Sequence, residues 1–324
     1  MKKWLFKPLL ACCLLWGAML PPVCAAQGDE VRQLVKKAVN GDAQARHALE
    51  KAAAQGDATA QNSLGAMYYS GQGVPQDYAQ ARQWFEKAAA QGLAEAQTAL
   101  GAIYSLGQGV RQDDAQARHW WEKAAARGDA AAQVNLGVMY ANGQGVPQDY
   151  AQARQWYEKA AAQGFAMAQN NLGTIYYNGQ GVRQDYAQAR QWYEKAAAQG
   201  DAEAQFNLGG MYYLGQGVRQ DYAQARQWFE KAAAQGHAKA QVNLGVLYYN
   251  GHGVRQDYAQ ARQWYEKAAA QGNAGAQFNL GVLYGNGQGV RQDKRAAKEW
   301  FGKACDAGEQ KGCDKYRELN EAGF

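Results

Sequence analysis

Apolar residues recur along this chain with the spacing of an α-helix, in segments that glycine-rich turns separate. Ala225, Phe229 and Ala232 fall on one side of such a segment, at steps of three and four residues. A second helical segment precedes it, and the residues Gly-Gln-Gly-Val lie between the two. The pattern therefore predicts a hairpin of two helices, with helix A over 201–214 and helix B over 221–235.

This hairpin recurs at a fixed period of 36 residues. The glycine that opens each unit lies at 56, 92, 128, 164, 200, 236 and 272, and Gly308 opens a partial eighth unit. A constant period of this length is typical of a solenoid, because one hairpin cannot bury its apolar faces without its neighbours. Gly215, which follows helix A, suits the left-handed backbone that ends many helices. We expect an all-α protein built from stacked hairpins.

The copies differ from one another at a restricted set of helix A positions. Counted from the opening glycine, positions 3, 5, 6, 9, 10 and 13 barely change, whereas positions 4, 7, 11, 14 and 15 vary. At about 100° per residue, the varied positions share one side of the helix, opposite the fixed ones. We therefore predict that the fixed side packs and that the varied side binds a partner. Its predicted binding residues are Phe206, Tyr213, Val242, Val246, Tyr249, Asn250, Phe278 and Tyr177.

Drift on a solvent-exposed side is the alternative explanation of this variation. Drift should admit charged residues, yet positions 7, 11 and 14 hold none in any of the seven units. Aromatic side chains beside amides are also typical of surfaces that bind a peptide or a protein. We therefore favour binding over drift.

Other recurring or unusual side chains are interpreted as structural. The tryptophan that occupies one helix B position in every unit is predicted to be a packing residue rather than part of a ligand-stacking ladder. Ala202, Ala204 and Gly209 are small enough to let a neighbouring helix approach closely. His237 replaces a helix-capping residue and His252 replaces a loop glutamine, so both are predicted to be exposed substitutions. The tryptophans are Trp84, Trp120, Trp156, Trp192, Trp228, Trp264 and Trp300.

The stretch GDAEAQFNLGGMYYLGQGVRQDYAQARQWFEKAAAQ, over 200–235, resembles the consensus of the Sel-one-like repeat (SLR) family, a relative of the tetratricopeptide repeat. The similarity covers Gly56 to Ala307, with partial units on each side. It implies a right-handed α/α superhelical solenoid of about seven 36-residue repeats, with the A helices on the concave face. It also implies an interaction scaffold, and the exported bacterial members of the family imply a role in the cell envelope or in host interaction. We therefore expect the binding residues to form a concave stripe that takes a protein or peptide partner.

A cysteine-rich, secreted branch of the family implies a different function. Its members are described as β-lactamases or penicillin binders, and they hold a disulfide in each repeat. In this chain the similarity to that branch is confined to KACDAGEQKGC, over 303–313. A β-lactamase or cell-wall-directed hydrolase is therefore the alternative to a binding scaffold.

The first residues have the layout of a cleaved export signal, with a basic start, a short apolar run and small residues before Gln27. We predict a signal peptide over 1–26, N-terminal capping helices over 27–55, seven repeats over 56–307 and a C-terminal capping helix over 308–324. Cys12, after Leu-Leu-Ala, leaves a lipoprotein as the alternative. Export leads us to expect a periplasmic or secreted protein in which Cys305 and Cys313 form a disulfide.

Charge and side-chain chemistry exclude several functions. Cleavage removes Lys2, Lys3 and Lys7 and no acidic residue, so the net charge falls from +5 to about +2 (5 − 3). Basic and acidic residues alternate in every repeat, which argues against a nucleic-acid partner. The three serines lie outside hydrolase motifs, and the four histidines occupy unrelated positions. We expect no catalysis, no metal or other cofactor and no stable membrane insertion, and the sequence leaves the oligomeric state open.

Overall fold

The computed structural model describes residues 25–324, with side chains from Asp29 onward. The predicted signal peptide, over 1–26, and the alternative at Cys12 therefore lie outside the described residues, apart from the backbone of 25 and 26. Within the described range, all seventeen elements are helices, and none of them is long and apolar enough to cross a membrane. The predicted fold class, an α/α solenoid of about seven hairpins with terminal helices, is confirmed.

The chain divides into two compact units, Met1–Ala168 and Gln169–Phe324. The helices up to the boundary are α1 (Ala25–Val39), α2 (Ala43–Ala54), α3 (Ala58–Ser70), α4 (Tyr78–Ala90), α5 (Ala94–Leu106), α6 (Asp114–Ala126), α7 (Ala130–Asn142) and α8 (Tyr150–Ala162). The boundary falls within α9 (Ala166–Asn178). The remaining helices are α10 (Tyr186–Ala198), α11 (Ala202–Leu214), α12 (Tyr222–Ala234), α13 (Ala238–Asn250), α14 (Tyr258–Ala269), α15 (Ala274–Asn286), α16 (Lys294–Asp306) and α17 (Gln310–Glu321).

Each hairpin begins and ends its helices with the same local chemistry. Gly215, directly after α11, has φ 69°, in the left-handed region where a side chain would be strained. Asp221 caps α12 by accepting hydrogen bonds from the N–H groups of Ala223 and Gln224, at 2.9 and 3.0 Å. The N–H of Asp221 donates to the carbonyl of Tyr212, at 2.9 Å, which fastens the start of helix B to the end of helix A.

Inside a hairpin, a glycine of helix A lies directly against an aromatic ring of helix B. A Cβ atom on Gly209 would come within 2.5 Å of two atoms of the Phe229 ring, and Phe229 is fully buried. The prediction that Gly209 permits close helix approach is confirmed. The same pairing joins Gly65 to Phe85, Gly101 to Trp121, Gly137 to Tyr157, Gly173 to Tyr193, Gly245 to Tyr265 and Gly281 to Phe301.

The recurring tryptophan packs between hairpins. Trp264, in α14, is partly buried against the core that α12 and α13 form, the two helices that precede it in the chain. The Lys267 ammonium lies over its ring, 4.1 Å from the centroid, so the outer face of the indole is covered by a cation–π contact. These contacts support the packing interpretation of this position.

Buried glutamines fasten consecutive hairpins to one another. Gln205 donates from Nε2 to the carbonyl of Ala197, at 3.3 Å, in the preceding helix B. Its Oε1 atom accepts a hydrogen bond of 2.9 Å from Nε2 of Gln235, which lies one period after Gln199. Equivalent Gln–Gln bonds join Gln91 to Gln61, Gln163 to Gln133, Gln199 to Gln169 and Gln271 to Gln241.

Two repeats lack this glutamine pair, at Gln97 and at Gln277, and restoring the first of them should stabilise the protein. Arg127 takes the place of the donor glutamine, and Oε1 of Gln97 is buried with no hydrogen-bond partner. The Arg127→Gln substitution should satisfy that oxygen and raise the free energy of unfolding by about 0.5–1.5 kcal/mol. Urea unfolding followed by circular dichroism measures the change. The reverse substitution, Gln235→Arg, should destabilise by a similar amount, and no change in either variant would contradict the role assigned to the pair.

Candidate functional site

The eight predicted binding residues, called here the varied stripe, lie in the second unit on α9, α11, α13 and α15. Asn250 is exposed and the other seven are partly exposed. Thr98 and Val134, which hold position 7 in α5 and α7, are buried instead. The partly exposed aromatic stripe is therefore a property of the later helices. The stripe comprises Phe206, Tyr213, Val242, Val246, Tyr249, Asn250, Phe278 and Tyr177.

Phe206 is held between its own hairpin and the next. Its ring centroid lies 5.8 Å from that of Phe229 in α12 and 4.7 Å from that of His237, on which it stacks. Phe278 has a similar contact, 5.4 Å from the ring of Phe301. Both aromatic side chains are thus fixed in position while part of each ring remains accessible, which lowers the entropy that a partner would have to remove on binding.

His237 is a helix cap, and the prediction that it is an exposed substitution is wrong. Its side chain is only 15% exposed, and Nδ1 accepts a hydrogen bond from the N–H of Ala240 at 3.2 Å. Because Nδ1 accepts, the proton of the neutral ring resides on Nε2, which lies 3.1 Å from Oε2 of Glu203. His237 therefore links α11 to α13 at the edge of the varied stripe.

His252 is likewise only partly exposed. Its ring stacks on Tyr222, with the centroids 4.5 Å apart and the planes 17° from parallel. Burial is possible because the loop at Gly251 and Gly253 passes close to α12: a Cβ on Gly253 would lie 2.7 Å from the carbonyl carbon of Tyr222. Both histidines of this repeat thus act in packing.

Three tyrosines form a regular series along the stripe. Tyr177, Tyr213 and Tyr249 each make an edge contact with the first tyrosine of the following helix B, with centroids 5.1–5.3 Å apart. The hydroxyl of Tyr177 donates to Gln216, and that of Tyr249 donates to Oε1 of Gln288 at 3.0 Å.

Tyr213 differs from the other two tyrosines. The loop position that holds a bonded glutamine opposite Tyr177 and Tyr249 is held by His252 opposite Tyr213. Among the described residues, the Tyr213 hydroxyl has no hydrogen-bond partner. Burial raises the pKa of both Tyr213 and Tyr177 above the usual value for tyrosine, so both remain neutral at physiological pH. The Tyr213 hydroxyl is therefore available to a bound partner.

The separation between packing and variable sides is less strict than the sequence predicts. Three stripe residues of α13 are partly buried against the core that the next two helices, α14 and α15, form. They are Val242, Val246 and Tyr249. Side chains at these positions meet the neighbouring repeat because hairpins in a solenoid contact one another along their whole length. The varied stripe is a partly packed, partly accessible surface.

A loop glutamine holds the interhelical loop beside the stripe. Nε2 of Gln184, Gln220 and Gln256 donates to the carbonyl of Tyr177, Tyr213 and Tyr249 respectively, at 2.8–2.9 Å. This contact was missed in the sequence, although the glutamine after Gly-Gln-Gly-Val recurs in every full unit. In each of these three repeats, the loop is therefore held next to the stripe tyrosine.

The repeats of this chain are similar to those of a known family. The Sel1 repeat family matches eight consecutive segments: residues 35–57, 58–93, 94–129, 130–165, 166–201, 202–237, 238–273 and 274–309. The first of these falls largely within the predicted N-terminal cap. A comparison with curated protein sequences gives no match.

Two solved structures show strong similarity over most of the chain. A protective antigen of uropathogenic Escherichia coli strains that displays an SLR fold is 38% identical, with a TM-score of 0.72, over 91% of this chain and 65% of its own length. A Sel1 repeat protein from Oxalobacter formigenes is 36% identical, with a TM-score of 0.69, over 92% of this chain and 88% of its own. This chain thus spans less than two thirds of the E. coli antigen.

Proposed function

This chain belongs to the Sel1 repeat family, and from that premise we propose that it is an exported, non-enzymatic scaffold that binds a protein or peptide on the varied stripe. Sel1 repeats are a fold of the protein–protein interaction type, and proteins of the family are generally non-enzymatic scaffolds. The finer assignment concerns which surface binds and where in the cell it acts.

The observation that supports this surface most directly is the row of partly exposed aromatic side chains on α11, α13 and α15. Phe206 and Tyr249 are held by packing and by hydrogen bonds, and Tyr213 has a hydroxyl with no partner among the described groups. Asn250 adds an exposed amide beside them. Rigid aromatic anchors next to polar groups are the residues that contribute most binding energy at protein interfaces.

The hydrolase alternative receives no support from the described residues. No group of three or more His, Cys, Asp or Glu side chains among them could hold a metal ion. Cys305 and Cys313 form a disulfide that joins α16 to α17, as predicted. The local similarity to the cysteine-rich branch thus corresponds to one disulfide that joins α17 to α16.

We propose export to the periplasm or beyond, from the basic and apolar N-terminal residues. The disulfide fits an oxidising compartment. The E. coli relative is described as a protective antigen, which fits a location outside the cytoplasm for this chain as well.

Replacing Phe206, Tyr213 and Tyr249 together with alanine should weaken partner binding at least about 100-fold, because interface aromatics commonly contribute 2 kcal/mol or more each. The partner is first identified by photo-crosslinking in the native cell from a probe placed at Asn250, and its affinity is then measured by calorimetry. Unchanged affinity in the triple variant would rule out the stripe as the binding surface.

A matched control separates binding from folding. Tyr69 in the first unit contacts Tyr78 with the same geometry as Tyr213 contacts Tyr222, with centroids 5.3 Å apart in each pair. The Tyr69 hydroxyl also lies against Gln108, so Tyr69→Ala should cost at least as much free energy of unfolding as Tyr213→Ala. Only Tyr213→Ala should weaken binding, and an equal loss of affinity in both variants would indicate a general structural effect.

A further inference from the structure

Three repeats of the second unit hold two arginines in different surroundings, and a fourth repeat holds the loop arginine alone of these two. The arginine on helix B pairs with the glutamate four residues later: Arg190, Arg226 and Arg262 lie 3.6, 2.9 and 3.6 Å from their partners. The arginine in the loop between helices A and B is exposed, and no group among the described residues forms an ion pair or hydrogen bond with its guanidinium. These loop arginines, called here the basic row, are Arg183, Arg219, Arg255 and Arg291.

The fold does not require arginine at this loop position. In the first unit the same position is held by Pro75, Arg111 and Pro147. Proline has neither a charge nor a backbone N–H, so the turn forms without either of them. Four consecutive arginines in the second unit are therefore left without a structural explanation.

The basic row borders the varied stripe. Arg183, Arg219 and Arg255 each precede a glutamine whose Nε2 donates to the carbonyl of a stripe tyrosine, at 2.8–2.9 Å. Each of three consecutive repeats thus presents one partly exposed tyrosine and, in the loop that is bonded to it, one exposed arginine. A partner that lies on the tyrosines would meet a positive charge once in every repeat.

We propose that the basic row binds carboxylates of an acidic protein segment whose apolar side chains lie on the varied stripe. This inference rests on the function proposed above and adds the chemistry of the partner. Guanidinium groups bind carboxylates through two parallel hydrogen bonds, which gives orientation as well as affinity. A cleft of about 600 Å³ is lined by Arg255 and by Tyr258, whose ring contacts the stripe residue Tyr249, and it provides space for such a side chain.

The surrounding charges favour an acidic polypeptide over a nucleic acid. Two residues after each arginine of the basic row stands the aspartate that caps helix B, as in Arg219 and Asp221. Positive and negative groups therefore alternate along this edge. A nucleic acid presents a continuous row of phosphates and is bound by continuous positive surfaces, whereas separated carboxylates need only separated arginines.

The test uses the full chain as bait for a displayed library of random 16-residue peptides. Enriched peptides should contain aspartate or glutamate interspersed with apolar residues. Their affinity is then compared between the triple variant Arg183→Gln/Arg219→Gln/Arg255→Gln and the matched control Arg190→Gln/Arg226→Gln/Arg262→Gln, which removes the same charge from the same repeats. The variant with the three loop arginines replaced, called the loop triple, should bind the enriched peptides at least about tenfold more weakly than the unmodified protein in 0.1 M salt. The variant with the three helix B arginines replaced, called the helix triple, should lose less than about threefold.

The possible outcomes are distinct. Enriched peptides without acidic residues, or equal affinities in the two triple variants, would overturn the acidic partner while the stripe is still supported by the alanine variants. Tighter binding of a 20-residue oligo(dT) than of any peptide, dependent on the basic row, would overturn it in favour of nucleic acid. Loss of binding in the loop triple but not in the alanine triple would keep the basic row and refute the stripe. If no peptide is enriched, both proposals fail.

Discussion

Gly209→Ala should lower the free energy of unfolding by about 2 kcal/mol, although it adds a single methyl group to a helix. The added Cβ would lie 2.5 Å from the Cδ1 and Cε1 atoms of Phe229, far inside contact distance. Phe229 is fully buried, so its ring can move only by displacing other core atoms. Overpacking of this kind costs roughly 1–3 kcal/mol. Urea unfolding followed by circular dichroism measures the loss.

The next residue provides a matched control for this prediction. Gly210 lies in the same helix, and a Cβ placed on it has no atom within 4 Å. Alanine is a better helix former than glycine, so Gly210→Ala should stabilise the protein by about 0.5–1 kcal/mol. Two identical changes at adjacent positions should therefore have opposite signs. Stabilisation by both would show that helix A and helix B are not in close contact at Phe229.

A second variant tests the cause. Replacing the ring with the smaller leucine side chain, in the double variant Gly209→Ala/Phe229→Leu, should recover part of the stability that Gly209→Ala loses. The two residues share one contact, so their effects are not additive. Additive losses would place the damage elsewhere in the helix.

The helices and their boundaries could be predicted from the sequence because each signal is repeated in every unit. Helix A was predicted over 201–214 and α11 spans Ala202–Leu214, while helix B was predicted over 221–235 and α12 spans Tyr222–Ala234. Glycine and aspartate mark these ends through local chemistry that needs no knowledge of tertiary contacts.

Contacts between hairpins could not be predicted in the same way. The bond from Gln235 to Gln205 joins residues 30 apart, and the period alone does not say which sides of two hairpins meet. His237 and His252 were interpreted from the residues that they replace, whereas their burial depends on the neighbouring repeat. The same limit applies to the varied stripe, since its positions are set by helical periodicity but their partial burial is set by stacking.

The C-terminal helix depends on a covalent bond for its position. In α17 only Gly312 is buried, and most of the other residues are exposed, so little apolar burial holds this helix against α16. The disulfide between Cys305 and Cys313, eight residues apart, therefore contributes a large share of the local stability.

Replacing both cysteines with serine should release α17 while leaving the preceding repeats folded. The disulfide closes a short loop and so lowers the entropy of the unfolded chain, which stabilises the folded state by about 2–3 kcal/mol. This stabilisation exceeds what one buried glycine and a few surface hydrogen bonds supply. Hydrogen exchange followed by mass spectrometry should show fast exchange over 310–321 and unchanged protection over α11 and α12, and a reducing agent should reproduce this in the unmodified protein. Full protection of α17 without the disulfide would mean that its packing on Phe301 and Ala304 suffices, and that the last hairpin needs no fastening.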